Sequence, residues 1–144
     1  RTFSKIYGLA GLRVGYVIAR EDVIRDVSKT KTPFNVNLPA QEAALAALGD
    51  DEFVERSVAV NAEGKNYLYR EFERLGLKYH PTEANFICVH VGRDGMEVFR
   101  KIMEMGVTIR PLKSFNLHDW IRVTVGTPEQ NAKFVSCLEK VLKE

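Results

Sequence analysis

A hydroxyl, a lysine and an arginine lie close together near the amino end of the chain, in a segment interrupted by glycines. These residues are Ser4, Lys5 and Arg13. A lysine amine can form an imine with an aldehyde, whereas a serine hydroxyl and an arginine guanidinium are groups that bind phosphate. The apolar and aromatic neighbours of Lys5 are expected to desolvate its amine and to lower its pKa towards that of a nucleophile.

An imine-forming lysine beside two phosphate-binding groups suits pyridoxal phosphate, because this cofactor carries an aldehyde and a phosphate. Gly8, Gly11 and Gly15 would let the backbone approach such a ligand closely. Neither the Gly-Lys-Ser/Thr order of a nucleotide-binding P-loop nor a Gly-x-Gly-x-x-Gly fingerprint is present in this segment. A loop with solvated basic side chains is the simpler alternative, since most lysines are exposed.

The run from Ser4 to Tyr16, read as Ser-Lys-x-x-Gly-Leu-Ala-Gly-Leu-Arg-x-Gly-Tyr, resembles the lysine motif of fold-type I pyridoxal-phosphate aminotransferases. The resemblance implies that Lys5 holds the cofactor as an imine. It also implies that Lys5 later moves a proton between the substrate α-carbon and the cofactor C4′. Ser4 and Arg13 match the positions that bind the cofactor phosphate in that family.

Within this class, the chain is most similar to the histidinol-phosphate aminotransferases. The segments that carry this likeness are Pro33–Asn37, Ala84–Phe86, Ile109–Pro111 and Ile121–Thr127. The resemblance implies reversible transfer of an amino group in histidine biosynthesis. One amine–ketone pair is L-histidinol phosphate and imidazole-acetol phosphate, and the other is L-glutamate and 2-oxoglutarate. It also implies a cytoplasmic homodimer whose sites lie at the subunit interface.

Two further arginines are candidate substrate contacts. Arg122 is centred in the most apolar strand of the second half, and Arg110 faces opposite Val107 and Ile109. By resemblance, Arg122 binds the carboxylate of the amino acid, while Arg110 helps to bind the substrate phosphate or lines its pocket. A solvated strand arginine is the alternative for Arg122. Asn35 and Asn37 are equally well explained by turn chemistry and are not assigned to the site.

The composition excludes several other classes of protein. The 144 residues are 45% hydrophobic and 28% charged, and 21 basic residues nearly balance 19 acidic ones. This balance gives no reason to expect nucleic acid or a membrane as partner. No apolar run approaches the roughly 20 residues of a membrane span, so we expect a soluble protein. Cys88 and Cys137 are expected to be reduced thiols, and no residues have the spacing of a metal site.

The pattern of apolar residues differs between the two halves of the chain. The lysine loop leads into a strand at Gly15–Ala19, followed by three helices, of which the last runs from Asp51 to about Leu75. The predicted strands of the second half are Phe86–Val91, Val107–Arg110 and Trp120–Val125, with helices that begin after Asp94 and Thr127.

The predicted fold class is α/β, with three parts. Residues 1–49 form the carboxyl-terminal end of a large pyridoxal-phosphate-binding domain. Residues 50–76 form a long linking helix, and residues 77–144 form a small α+β domain. The chain starts without methionine and reads as the carboxyl-terminal portion of a longer enzyme. If it folds alone, apolar residues from Val14 to Ile18 should be exposed.

The relatives' aspartate for the pyridinium nitrogen is not among these residues, so the chain by itself should be inactive. The sequence is also compatible with other functions. The same lysine loop serves aromatic-amino-acid aminotransferases and threonine-phosphate decarboxylases. A non-catalytic α+β binding or oligomerisation module is a further possibility. The joint presence of Ser4, Lys5, Arg13 and Arg122 favours an enzyme, because such a module has no physical need for them.

Overall fold

A computed structural model describes all residues from Arg1 to Glu144, which divide into two compact units, Arg1–Val58 and Ala59–Glu144. The helices are α1 (Glu21–Ser28), α2 (Leu38–Leu48), α3 (Asp51–Arg74), α4 (Gly95–Glu104) and α5 (Pro128–Lys143). The strands are β1 (Tyr79–His80), β2 (Phe86–His90), β3 (Arg110–Pro111) and β4 (Trp120–Thr124). Single turns of 3₁₀-helix occupy Ala10–Leu12 and Lys113–Phe115. None of the helices has the length and hydrophobicity needed to cross a bilayer.

The second unit is built on an antiparallel sheet with the strand order β1-β2-β4-β3. Burial alternates along the two central strands: Ile87 and Val89 of β2 and Ile121 and Val123 of β4 are buried. They form one core with apolar residues of α3, α4 and α5. The other face of the sheet carries the polar and aromatic side chains of the same strands, so this face can display functional groups.

Capping residues fix where two helices of the second unit begin. Thr127 and Gln130 form the predicted reciprocal capping box of α5. At the start of α4, the Asp94 carboxylate accepts a hydrogen bond from the Met96 N–H at 2.7 Å, and this bond lowers the pKa of Asp94. The sequence therefore located both helix starts correctly.

The strand predicted at Gly15–Ala19 is not formed, and this prediction was wrong. Pairing is limited to an antiparallel bridge between Thr2 and Gly15 and to hydrogen bonds that join Arg1 and Tyr16. A strand requires a neighbour that satisfies its amides, and the first unit supplies only the residues around Thr2. The apolar side chains are exposed as expected, most of all Ile18, at 88%.

The edges of the sheet also differ from the prediction. The strand expected at Val107–Arg110 is shorter and lies further along, at Arg110–Pro111, where Pro111 pairs with Ile121. Proline is tolerated there because an edge strand needs ladder donors on one side only. The two-residue strand β1 at the opposite edge was not predicted, because its residues show no alternation long enough to recognise.

Candidate functional site

The first candidate site is the loop that carries Lys5, and internal hydrogen bonds close this loop. The N–H of Phe3 donates to the carbonyl of Val14 at 3.2 Å, and the N–H of Leu9 donates to the carbonyl of Phe3 at 3.0 Å. Phe3 is buried, and the centroid of its ring lies 5.0 Å from that of Tyr7. The loop therefore has its own small aromatic centre, which holds its backbone in one conformation.

Two positions in this loop require their observed residue type or conformation. Gly8 has φ +71°, in the left-handed region that favours glycine, and its N–H donates to the Lys5 carbonyl at 2.9 Å. At Gly15 a Cβ atom would lie 2.7 Å from the carbonyl oxygen of Arg1. Two of the three glycines that the sequence offered as points of ligand approach, Gly8 and Gly15, thus serve the folding of the loop.

Ser4, Lys5 and Arg13 all lie on this one loop. Lys5 is exposed and makes no ion pair, so its neighbours do not bury it as the sequence suggested. The reason is that Phe3 turns into the loop, whereas Ile6 is itself partly exposed. Arg13 has φ +57°, and its guanidinium donates to the carbonyl of Ala10 at 2.8 Å. The amine of Lys5 is therefore free to react with a ligand.

Asn37 has a structural role. Its side-chain oxygen accepts a hydrogen bond from the N–H of Ala40 at 2.9 Å and thereby caps α2. Its amide also donates to the carbonyl of Leu12 at 3.4 Å, which links the helix to the lysine loop. Turn and cap chemistry explains this asparagine, as the sequence suggested.

The second candidate site is the open face of the sheet in the second unit. Arg110 of β3 pairs directly with Arg122 of β4, and Cys88 of β2 pairs with Arg122 on the other side. Like charges directly opposite one another on neighbouring strands destabilise a sheet. Neither arginine takes part in any of the chain's ion pairs. Two arginines at paired strand positions, neither with an acidic partner, are suited to binding an anion.

Aromatic rings support both arginines. The Cζ atom of Arg122 lies over the ring of Phe86, 4.6 Å from its centroid, and the Cζ atom of Arg110 lies 5.5 Å from the centroid of Phe115. Such cation–π contacts are attractive without neutralising the charge. The Nε atom of Arg122 is buried and has no hydrogen-bond partner. The sequence did not identify these rings, because the contacts depend on strand register.

The comparison with known proteins decides the family. The family model described as aminotransferase class I and II matches residues 1–138.

The chain belongs to the class I and II aminotransferases.

Curated relatives within this family have a specific name. The chain is 56% identical over 142 residues to a histidinol-phosphate aminotransferase of Moorella thermoacetica, a match that covers 99% of this chain and 37% of the relative. It is 53% identical to the enzyme of that name from Symbiobacterium thermophilum, with 100% of this chain and 40% of the relative covered. The chain thus spans about two fifths of the length of these relatives.

A solved structure of the same family has the same fold as this chain. The histidinol-phosphate aminotransferase of Sinorhizobium meliloti, determined in complex with pyridoxal-5′-phosphate, matches with a TM-score of 0.85 and 28% identity. The match covers 99% of this chain and 40% of that protein. The fold is therefore that of one portion of an aminotransferase, as the sequence predicted.

Cysteine and histidine side chains of this aminotransferase chain also line the open sheet face. Both cysteines are free, and burial raises the pKa of the Cys88 thiol although the charge of Arg122 acts in the opposite direction. His90 Nε2 lies 2.7 Å from Asp119 Oδ2, a contact that lowers the pKa of Asp119. His80 is exposed and stacks on Trp120 with 4.7 Å between the ring centroids.

Asn131 fixes the end of the strand that carries Arg122, a role that the sequence pattern did not reveal. Its side-chain oxygen accepts from the N–H of Gly126 at 2.9 Å, and its amide donates to the carbonyl of the same residue at 3.0 Å. It is the buried polar residue of the core, at 2% exposure. An asparagine four residues after the predicted cap Thr127, on the inner side of an apolar helix, was the available signal.

Proposed function

We propose that the complete protein is a pyridoxal-phosphate-dependent histidinol-phosphate aminotransferase. It would transfer an amino group reversibly between two amine–ketone pairs: L-histidinol phosphate and imidazole-acetol phosphate, and L-glutamate and 2-oxoglutarate. The observation that carries the proposal is the presence of Ser4, Lys5 and Arg13 on one hydrogen-bonded loop in a chain of this family. The names of the curated relatives support the choice of substrate.

The lysine loop fits the cofactor chemically. Lys5 is exposed and unpaired, so its amine can bond to an aldehyde, and the Ser4 hydroxyl and Arg13 guanidinium can hold a phosphate. When bound, pyridoxal phosphate supplies an electron sink that weakens the Cα–H bond of an attached amino compound. An incoming amino compound would displace the Lys5 amine from the aldehyde carbon, and the freed Lys5 Nζ would take the proton from the substrate Cα and return it at C4′.

The paired arginines suit the anionic groups of the two substrates. Glutamate and 2-oxoglutarate carry a carboxylate on the reacting carbon, whereas histidinol phosphate carries a phosphate ester, CH2–O–PO3²⁻, in its place. By the family resemblance we assign the carboxylate to Arg122 and the phosphate to Arg110, and neither guanidinium group has an acidic partner. These assignments make Arg122 specific for one half of the reaction and Arg110 for the other.

The catalytic unit would be the complete chain in a homodimer. The residues described here correspond to about two fifths of the relatives' length, so the 144-residue chain alone is expected to be inactive. The three-part division of the sequence, residues 1–49, 50–76 and 77–144, belongs to this proposal.

Absorbance spectroscopy of the complete protein with pyridoxal phosphate tests the function. We expect a visible imine band that requires Lys5 and is lost in Lys5→Ala, and that changes to the amine form of the cofactor when histidinol phosphate is added. Lys31→Ala is the matched control, because Lys31 is also an exposed lysine of the first unit without an ion pair. A band that survives Lys5→Ala would contradict the proposal. Conversion by threonine phosphate instead of histidinol phosphate would favour the decarboxylase alternative.

A further inference from the structure

The surroundings of Arg122 raise the question of what holds its guanidinium in place. A carboxylate partner normally orients an arginine, and Arg122 has none. Across the β3–β4 pair, Arg110 repels it. The side chain therefore needs another contact to keep one orientation before a ligand arrives.

The ring of Phe86 supplies this contact. In the β2–β4 register, Phe86 pairs with Thr124 and Cys88 with Arg122, so Phe86 and Arg122 are diagonal neighbours on the same sheet face. The Cζ atom of Arg122 lies over the ring, 4.6 Å from the centroid. A guanidinium that stacks by its planar face retains all its N–H donors, which point outwards in the plane. The ring thus orients Arg122 without using the hydrogen bonds that a carboxylate needs.

Backbone contacts hold both partners of this stack. Phe86 and Arg122 lie in the two central strands of the sheet, whose opposite faces form the core. Immediately beyond β4, the N–H of Val125 donates to the carbonyl of Asn85 at 2.9 Å, next to Phe86. The position of the ring relative to the arginine is therefore set by the sheet itself.

We propose that Phe86 is a positioning residue for the carboxylate substrate, acting by stacking under the guanidinium of Arg122. The inference rests on the proposed role of Arg122. Phe86 would pre-organise the arginine for the carboxylate of glutamate and 2-oxoglutarate, and its loss would release the side chain into several orientations. Histidinol phosphate carries a phosphate ester in place of the carboxylate, and the proposed function assigns that phosphate to Arg110, so its binding would depend less on this stack.

Steady-state kinetics of the complete enzyme separate this role from a structural one. In Phe86→Leu we expect the KM for glutamate to rise about 3- to 10-fold, a range that corresponds to a cation–π contact of this kind. The KM for histidinol phosphate should change less than about 2-fold, because its phosphate is assigned to Arg110 and not to Arg122. Phe86→Tyr keeps the ring and should restore the wild-type ratio of the two KM values.

Matched variants make each outcome decisive. Phe99→Leu removes a ring that packs against the core on α4, and it should leave the ratio of KM values unchanged. If Phe86→Leu raises both KM values equally, Phe86 is merely structural and the inference is wrong. If Phe86→Leu does not fold, Phe86→Met replaces it, since methionine is another apolar residue without a ring. An altered KM ratio in Phe86→Met, with unchanged kinetics in Phe86→Tyr, would support the inference. An unaltered ratio in Phe86→Met would overturn it.

Arg122→Lys separates this inference from the proposed function. If Arg122→Lys raises the KM for glutamate and Phe86→Leu does not, the role of Phe86 fails while that of Arg122 stands. If Arg122→Lys leaves the KM for glutamate unchanged, the assignment of the carboxylate to Arg122 fails first, and the inference falls with it.

Discussion

The two units of this chain treat their apolar residues in opposite ways. In the second unit, the central strands bury Ile87, Val89, Ile121 and Val123 against three helices. In the first unit, the apolar segment Tyr16–Ile18 lies exposed beside a single bridge. Both segments have strand-like sequences, so local propensity does not explain the difference. What differs is the presence of neighbouring strands and covering helices in the same unit.

The difference separates two ways of holding a functional residue. Arg122 and Arg110 are carried by a sheet with its own core, so their positions follow from strand register. Lys5 is carried by a loop whose hydrogen bonds and buried Phe3 maintain its shape locally. The two arginines proposed to bind substrate therefore depend on long-range packing, whereas the lysine depends mainly on contacts close in sequence.

The largest expected effect is on stability and comes from the same substitution made in each unit. Ile121→Ala removes a fully buried side chain and should lower the free energy of unfolding of the second unit by about 2–5 kcal/mol. Ile18→Ala truncates an exposed side chain in the first unit and should change the free energy of unfolding of that unit by less than about 0.5 kcal/mol. Urea unfolding of the 144-residue chain, followed by circular dichroism, measures both values.

These two variants test whether the units differ as described. Equal losses of unfolding free energy in the two variants would mean that Ile18 is covered in solution. Separate transitions for the two units would sharpen the comparison, because each free energy could then be assigned to one unit.

A second pair of substitutions tests packing around the strand that carries Arg122. At Gly64, an added Cβ would lie 2.5 Å from Cγ1 of Val125 and 2.9 Å from Nδ2 of Asn131. We expect Gly64→Ala to destabilise the second unit by about 1–3 kcal/mol despite the better helix propensity of alanine. In the first unit, a Cβ at Gly11 would meet nothing within 4 Å.

Gly11→Ala is the matched control and should be neutral or stabilising by up to about 1 kcal/mol. Thermal unfolding of the two variants gives the comparison. An unchanged melting temperature in Gly64→Ala would show that Val125 can move away, and the close packing around Asn131 would then not hold the strand end rigidly.

The sequence predicted those parts of the fold whose signals are local. The capping residues Asp94 and Thr127 correctly located two helix starts, and the apolar pattern correctly located the two central strands. The strand at Gly15–Ala19 was wrongly predicted, because strand formation depends on partners that a local pattern does not show. The shift of β3 to Arg110–Pro111 has the same origin, since it depends on pairing with Ile121.

The candidate site was predictable to a similar extent. Resemblance supplied the residue types, and the structure places Arg110 directly opposite Arg122, a pairing that neither position reveals alone. The supporting contacts were not accessible from the sequence. The Phe86 ring reaches Arg122 only through the β2–β4 register, and Asn131 reaches Gly126 only because α5 follows the turn.

The smallest expected effect concerns an ion pair on the surface of the second unit. The guanidinium of Arg74 donates to Glu139 at 2.9 Å and, together with Lys143, lowers the pKa of Glu139 from 4.5 to about 2. A carboxyl whose folded-state pKa is lowered stabilises the protein above its unfolded pKa, and this contribution is lost as the pH falls from 4.5 towards 2.

Glu139→Gln should therefore flatten the acid side of the stability profile between pH 4.5 and about 2 and leave the neutral side lower. The exposed pair is screened, so the change should be small and should shrink further in 1 M salt. Glu55→Gln in the first unit is the matched control, since Glu55 is exposed and has no ion pair, and its profile should follow that of the wild type. Because the pair joins α3 to α5, an unchanged acid profile in Glu139→Gln would mean that these helices need no electrostatic link.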